Sequence, residues 1–247
     1  MGIRLFAPAS AGFESTPPAP LPTSAAPRVH LPAAPLSAPR RLAPSTEVQA
    51  LDWPALRDAV QACRACPLGS TRTQAVFGVG HPRAHWMIVG EAPGEQEDLQ
   101  GEPFVGASGQ LLDNMLRALG LTRATASPER QVFIANTLKC RPPKNRNPEP
   151  AETAQCAPYL ARQIELVQPR ILLAMGRFAA QALLNSDEPV GKLRGRVHRV
   201  GGLPLVVTYH PAYLLRSPAD KARAWEDLCL AADLVARMAA QSGADVR

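Results

Sequence analysis

Four short apolar runs recur along the chain, each closed by a glycine-rich or polar turn and separated from the next by enough residues for a helix. They are His85–Val89, Val132–Leu138, Ile171–Met175 and Pro204–Thr208. Runs of this length bounded by breakers read as buried strands. Strands that alternate with helices imply a mostly parallel sheet covered on both faces. The expectation is an α/β fold, a three-layer α/β/α sandwich around a central, mostly parallel four-stranded sheet. An edge strand before Gly201-Gly202 pairs with the last run, and an extra helical piece precedes the first.

Helix signals agree with this reading. Asp52 can cap a helix from Trp53 to about Ala62, with Pro54 tolerated in its first turn. Ser108 is expected to cap a second, in which Leu111, Leu112, Met115, Leu116 and Leu119 share one face until Gly120 stops it. Further helices are expected over Pro150–Val167, Arg177–Leu184 and Pro218–Gln241. Before all of these lies a different kind of sequence. Residues 1–45 are rich in Pro, Ala and Ser, too poor in large apolar groups to offset the entropy of ordering, and read as a disordered tail. The folded domain is therefore placed at 46–247.

A formal charge of +6 favours polyanionic partners through counterion release. No apolar run approaches the ~18 residues that span a bilayer, and the first residues lack the pattern of a secretory signal. Gly90, Gly94 and Gly106 form no dinucleotide fingerprint, and no glycine-rich phosphate loop is present.

In an open parallel sheet, function gathers in the crevice at the carboxyl ends of the strands. Four segments should meet there: Gly90–Gly94, Asn136-Thr137, Gly176-Arg177 and His210-Pro211. Singly, Glu91 reads as a solvated loop acid, Asn136 as a turn cap and His210 as an ordinary buried histidine. Their coincidence at successive strand ends points instead to a site for a polar, planar ligand.

Of the five cysteines, Cys63 and Cys66 form a C-x2-C pair at a helix end, while Cys140 and Cys156 lie far downstream. An odd count without a signal peptide argues against a disulfide framework. Four such residues could hold zinc or an iron–sulfur cluster, and spacing alone leaves both open. Cys229, between Leu228 and Leu230, reads as a core residue.

Three segments carry a more specific message. Gly90 to Leu116, GEAPGEQEDLQGEPFVGASGQLLDNML, resembles the first motif of the family-4 uracil-DNA glycosylases. His210 to Arg216, HPAYLLR, resembles their second. Lys139 to Cys156, KCRPPKNRNPEPAE-x3-C, is similar to their cysteine-containing insertion. The likeness spans about residues 48 to 240, with the motifs in family order.

The resemblance implies a uracil-DNA glycosylase of base excision repair, with a [4Fe–4S] cluster on Cys63, Cys66, Cys140 and Cys156. Gly90 and Ala92 would line the uracil pocket. Phe104 would stack on the base, Asn136 would read its O4 and N3 edge, and His210 would donate to O2. Glu91 and Glu97 are the candidates for favouring the cationic sugar and orienting water, with exclusion of thymine's methyl an alternative role for Glu97. Leu214 or Leu215, in a loop after His210, would wedge into the base stack, Arg216 and Ser108 would hold phosphates, and Arg141, Lys144 and Arg146 would present charge to the backbone. The partner is uracil-containing DNA, single- or double-stranded. A monomer acting at the nucleoid in the cytoplasm is expected, and no partner motif shows in the tail.

Three rivals are weighed against this. A covalent uracil-binding relative would carry a Lys-Arg-Arg-Ile-His run, absent here, and Glu-Gln where this chain has Glu91-Ala92. A non-catalytic DNA-binding module would not need Glu91, Phe104, Asn136 and His210 together. An electron carrier would not need so large an α/β core.

Overall fold

The computed structural model describes residues 46–244. The expected tail, residues 1–45, lies outside the described residues. Six strands form one sheet: β1 (Val79–Gly80), β2 (Trp86–Gly90), β3 (Phe133–Asn136), β4 (Ile171–Met175), β5 (Val197–Val200) and β6 (Leu203–Thr208). Ten helices accompany them. They are α1 (Thr46–Gln49), α2 (Trp53–Ala62), α3 (Leu68–Thr71), α4 (Glu95–Gln100), α5 (Ala107–Ala118), α6 (Pro150–Val167), α7 (Arg177–Leu184), α8 (Val190–Leu193), α9 (Pro211–Arg216) and α10 (Lys221–Ala244).

The spatial order is β1-β3-β2-β4-β6-β5. The middle four strands run parallel, as the alternating pattern requires. The sheet is nevertheless wider than the expected four, because β5 and the two-residue β1 add antiparallel edges. β5 is the anticipated edge strand. β1 is too short to leave a periodic signal.

Residues alternate between two cores with the period of a strand. Met87, Val89, Leu172, Ala174, Leu205 and Val207 face α2, α6, α7 and α8. Trp86, Ile88, Ile171, Leu173, Met175 and Val206 face α5 and α10. Both faces are buried, which is why each central strand reads as an uninterrupted apolar run rather than an alternating one. The chain leaves β2 for β3 on one side and later places β4 on the other side of β2. The crevice therefore opens at the carboxyl end of β2, at Gly90.

Helix bounds match the sequence at α2, α6 and α7, while α10 begins at Lys221 rather than Pro218 and ends at Ala244 rather than Gln241, and two further segments are exceptions. Asp52 caps α2 by accepting from the Ala55 N–H at 2.9 Å. At α5 the cap is Gly106, not Ser108, which sits inside the first turn. Pro103-Phe104-Val105 must turn back tightly to reach the helix, and Gly106 starts it in extended backbone. The second exception is the segment after His210, expected as a loop. It is the short helix α9, capped by His210 itself. No helix among the described residues is long and apolar enough to cross a membrane.

Candidate active site

A cleft of about 900 Å³ opens over the carboxyl ends of β2, β3, β4 and β6. Its lining includes Glu91, Ala92, Glu97, Phe104, Ser108, Asn136, Arg177, Tyr209, His210 and Arg216. Every strand-end segment singled out in the sequence contributes to it. Hydrogen bonds stitch these ends together: Thr137 N–H donates to the Gly90 carbonyl and Leu138 N–H to that of Glu91, both at 3.0 Å.

Asn136 ends β3 opposite Gly90. Its side chain is 2% exposed, and its Oδ1 is a buried acceptor with no hydrogen-bond partner among the described residues. Buried polar atoms are rarely left so, because desolvation without a partner costs about 1–3 kcal/mol. An acceptor held open in this way is built to meet a donor on a ligand. Gly90 makes room for it. A Cβ there would stand 2.6 Å from Phe104 Cζ and closer still to Asn136 Oδ1.

Phe104 occupies the left-handed region, with φ of 56°, an uncommon conformation for a bulky residue. Its neighbours are pinned on both sides. Glu97 Oε1 accepts from the N–H groups of Val105 at 3.0 Å and Gly106 at 3.4 Å. Arg123 Nη1 donates to the Pro103 carbonyl at 2.8 Å while its Nε is held by Asp113 at 2.6 Å. The other Glu97 oxygen accepts from Gly94 N–H at 3.0 Å. Both oxygens thus accept from backbone N–H groups, and Glu97 braces the two loops that carry the pocket. The Phe104 ring lies against the His210 imidazole, with centroids 5.3 Å apart and planes 26° from parallel.

His210 caps α9 by accepting, through Nδ1, the Ala212 N–H at 3.2 Å. An Nδ1 that accepts must be unprotonated, so the neutral ring carries its proton on Nε2. Burial, reinforced by the Arg216 cation and opposed by Glu97, pushes the His210 pKa down to about 4. The ring is therefore a neutral Nε2–H donor at ordinary pH. Gly176, with φ of +89°, allows the close approach of β4 and β6 here; a Cβ would come within 3.0 Å of His210 Cβ. Across the cleft, burial raises the Glu91 carboxyl while nearby Arg177 lowers it.

The structure separates the two wedge candidates. Leu214 is 1% exposed and belongs to the core, whereas Leu215 is 44% exposed; an α-helix turns successive side chains to different faces. Ser108 and Arg216 line the cleft. Of the basic loop residues, Arg146 is spent on α6, gripping buried Glu152 with bonds of 2.6 and 2.9 Å. Arg141 lies beside Glu95 at 3.6 Å. Lys144 is exposed. Sequence reasoning missed Tyr209 and the bracing pair Arg123–Asp113, since nothing but tertiary placement marks them.

Cys63, Cys66, Cys140 and Cys156 line one cavity beside α2 and α6, together with Arg72, Lys139 and Tyr159. All four are free thiols. Arg72 Nη1 donates to Cys140 Sγ at 2.8 Å and Lys139 N–H to Cys156 Sγ at 3.3 Å, the bonds that thiolates accept. Burial pushes the Cys140 thiol up and that of Cys156 to about 12, so thiolates here need a cationic centre. No three His, Cys, Asp or Glu side chains among the described residues are grouped to hold a single metal ion. What the four cysteines share is the lining of this cavity. Cys229 lies apart, half-buried on α10.

Residues 77–229 match the model of the Uracil DNA glycosylase superfamily. A type-4 uracil-DNA glycosylase of Archaeoglobus fulgidus is 43% identical over 167 residues, 64% of this chain and 81% of that protein. Its counterpart in Pyrobaculum aerophilum is 42% identical over 188 residues, covering 73% and 93%. That of Sulfurisphaera tokodaii is 43% identical over 172 residues, covering 66% and 76%.

Proposed function

The chain belongs to the uracil DNA glycosylase superfamily and within it to the type-4 family, and from that premise we propose that it excises uracil from DNA by hydrolysing the N-glycosidic bond, the first step of base excision repair. The observation that carries the reading is the buried Oδ1 of Asn136, without a hydrogen-bond partner among the described residues, across Gly90 from the Phe104 ring. Uracil offers an N3–H donor to that oxygen and an O4 acceptor to the neighbouring Nδ2. Cytosine presents an acceptor at N3 and a donor at C4, and so mismatches both. A site built to hydrogen-bond one edge rejects the reversed edge by about 10⁴-fold or more.

The base must leave the duplex stack to reach this cleft, and Leu215 is the apolar side chain placed to fill the gap. Arg216, Ser108, Lys144 and Arg177 supply contacts for the flanking phosphates. Bond cleavage sends the N1–C1′ electron pair into uracil, leaving an oxocarbenium sugar. The neutral Nε2–H of His210 donates to O2 as negative charge grows there, and a prearranged donor at developing charge stabilises the transition state more than the ground state. The Glu91 carboxylate faces the sugar's positive charge and orients the water whose oxygen bonds to C1′; the proton this water sheds passes to the carboxylate and balances the departing uracil anion, which takes one up. Glu97 keeps Phe104 and the Gly94 turn in place.

The four cysteines are read as ligands of a [4Fe–4S] cluster: they line one cavity, and two of them accept bonds from Arg72 and the Lys139 N–H. Such a cluster would supply a covalent tie between α2, the loop after β3 and α6. The protein's partner is uracil-containing DNA, on which it works as a monomer at the nucleoid.

The test is cleavage of a labelled oligonucleotide bearing one uracil, followed by alkali. Uracil-dependent product beyond one equivalent of enzyme is expected. Iron-replete protein that gives no product, or one covalent adduct per chain, sinks the proposal.

A further inference from the structure

Four charged side chains are buried to 3% exposure or less: Asp98, Lys139, Glu152 and Asp227. Three have ready partners. Asp98 accepts backbone N–H groups of Thr73 and Gln74, Glu152 pairs with Arg146 and Asp227 with Arg194. Lys139 is the one cation among the four. Its Nζ donates to the Asn136 carbonyl at 2.8 Å and to Gln163 Oε1 at 2.6 Å, both neutral acceptors, and no ion pair joins it to a carboxylate among the described residues. Gln163 is fixed in turn by its donation to the Phe77 carbonyl at 2.8 Å. A buried ammonium lacking an anion is costly. The residue lines the four-cysteine cavity, where its own N–H donates to Cys156 Sγ, so a cluster held there is the anion placed beside it.

We propose that Lys139 is a positioning residue that ties the two sites together: its Nζ holds the main chain of the uracil-reading Asn136, and its charge is the counter-cation of the cysteine-bound cluster. This deepens the glycosylase reading and rests on it. Loss of the cluster's negative charge leaves Lys139 unbalanced and loosens the carbonyl behind Asn136, so base selection depends on a group that never touches the base.

Two variants separate the halves. Lys139→Met removes both the bond and the charge. Gln163→Glu keeps the Nζ–Asn136 bond but neutralises the ammonium locally. Iron content, the cluster's reduction potential and KM for a uracil oligonucleotide are measured on each. A nearby cation eases reduction, and cluster potentials follow local charge, so both variants should move the potential to more negative values. Losing a hydrogen bond from a charged donor should raise KM about tenfold in Lys139→Met, with kcat changed less, while Gln163→Glu keeps a KM near that of wild type. A merely structural lysine would lower the melting temperature and leave the potential alone.

Unchanged potential in both variants overturns the counter-cation, and unchanged KM in folded Lys139→Met overturns the positioning role. Should Lys139→Met fail to hold iron, an unchanged potential in Gln163→Glu still overturns the first. These failures leave the glycosylase reading standing as long as wild type excises uracil. Wild type that neither excises uracil nor holds iron brings down that reading and the proposal together.

Discussion

Replacing Gly90 by alanine tests the pocket with a single methyl group. Gly90 has an ordinary backbone conformation, absent from the positive-φ glycines, so alanine meets no dihedral penalty there. The objection is purely steric. The new Cβ would lie 2.6 Å from Phe104 Cζ and 2.8 Å from Cε2, with Asn136 Oδ1 nearer than either. Carbon atoms settle at about 3.5–4.0 Å, so ring and amide must each retreat by about 1 Å. Phe104 cannot swing away cheaply, because Glu97 and Arg123 hold the backbone on both sides of it. Asn136 is fixed within β3. Overpacking of this kind costs about 1–3 kcal/mol of stability, and a misplacement of about 1 Å costs about 10²-fold in rate. Single-turnover excision from a single-stranded uracil oligonucleotide should therefore fall about 10²-fold, in a protein that still melts cooperatively. Gly191→Ala is the control, since a Cβ at that cleft residue meets nothing nearer than Tyr209 Oη at 3.9 Å. A folded Gly90→Ala enzyme within about threefold of wild type would refute the assignment of this pocket to the base.

Further outcomes follow from the same geometry. His210→Ala should lower kcat about 10²–10³-fold, the loss of one donor at developing charge, read in single-turnover kinetics. Because the folded His210 pKa lies near 4, below its unfolded value of ~6.5, the unfolded chain binds more protons between these values; stability present above pH ~6.5 should drain as pH falls toward 4, and Gln at 210 should flatten that slope in urea titrations. Glu91, raised by burial, must be ionised to act, so the rate should fall as pH drops through that raised pKa. Glu91→Gln should abolish this acid limb, whereas Glu97→Gln should keep it while lowering the melting temperature. Cys63→Ser should lose iron and melt earlier by several degrees; full iron content and a normal melting temperature would remove Cys63 from the ligand set. Leu215→Ala should slow excision from duplex about tenfold with little effect on single strands, while buried Leu214→Ala should cost about 2–5 kcal/mol of stability; the reverse pattern would exchange their roles.

Much of the architecture was written in local sequence. Each central strand is buried on both faces, and an apolar run of five residues says so without any partner in view. Asp52 and Pro150 mark helix starts because their chemistry suits those positions whatever the surroundings. What escaped was set by tertiary contact. β1 is only two residues long and exists because β3 offers it an edge. Gly106 rather than Ser108 begins α5 because the strained Phe104 turn fixes where the helix can start. α9 was read as loop because its six residues carry no period, and the helix decides which leucine faces out. The candidate site residues were named by motif and many of them meet in one cleft, but their surroundings were not legible: Glu91 and Glu97 look alike in sequence, and hydrogen bonds alone tell them apart.

That difference bears on how the pocket is kept ready. A bulky residue in the left-handed region carries strain of order 1–3 kcal/mol, tolerated where surrounding structure over-determines it. Here the over-determination is visible: Glu97 Oε1 takes the two N–H groups after Phe104, Arg123 takes the carbonyl before it, and Gly109 allows the first turn of α5 to press against the Phe104 carbonyl. The strain is thus met during folding, before any base arrives. Phe104 stands against His210, beside an amide whose oxygen is buried and unmatched. On the proposed reading, an entering uracil need organise nothing; it supplies a donor for that oxygen, and the binding free energy it releases remains available to offset the unstacking that brought it there.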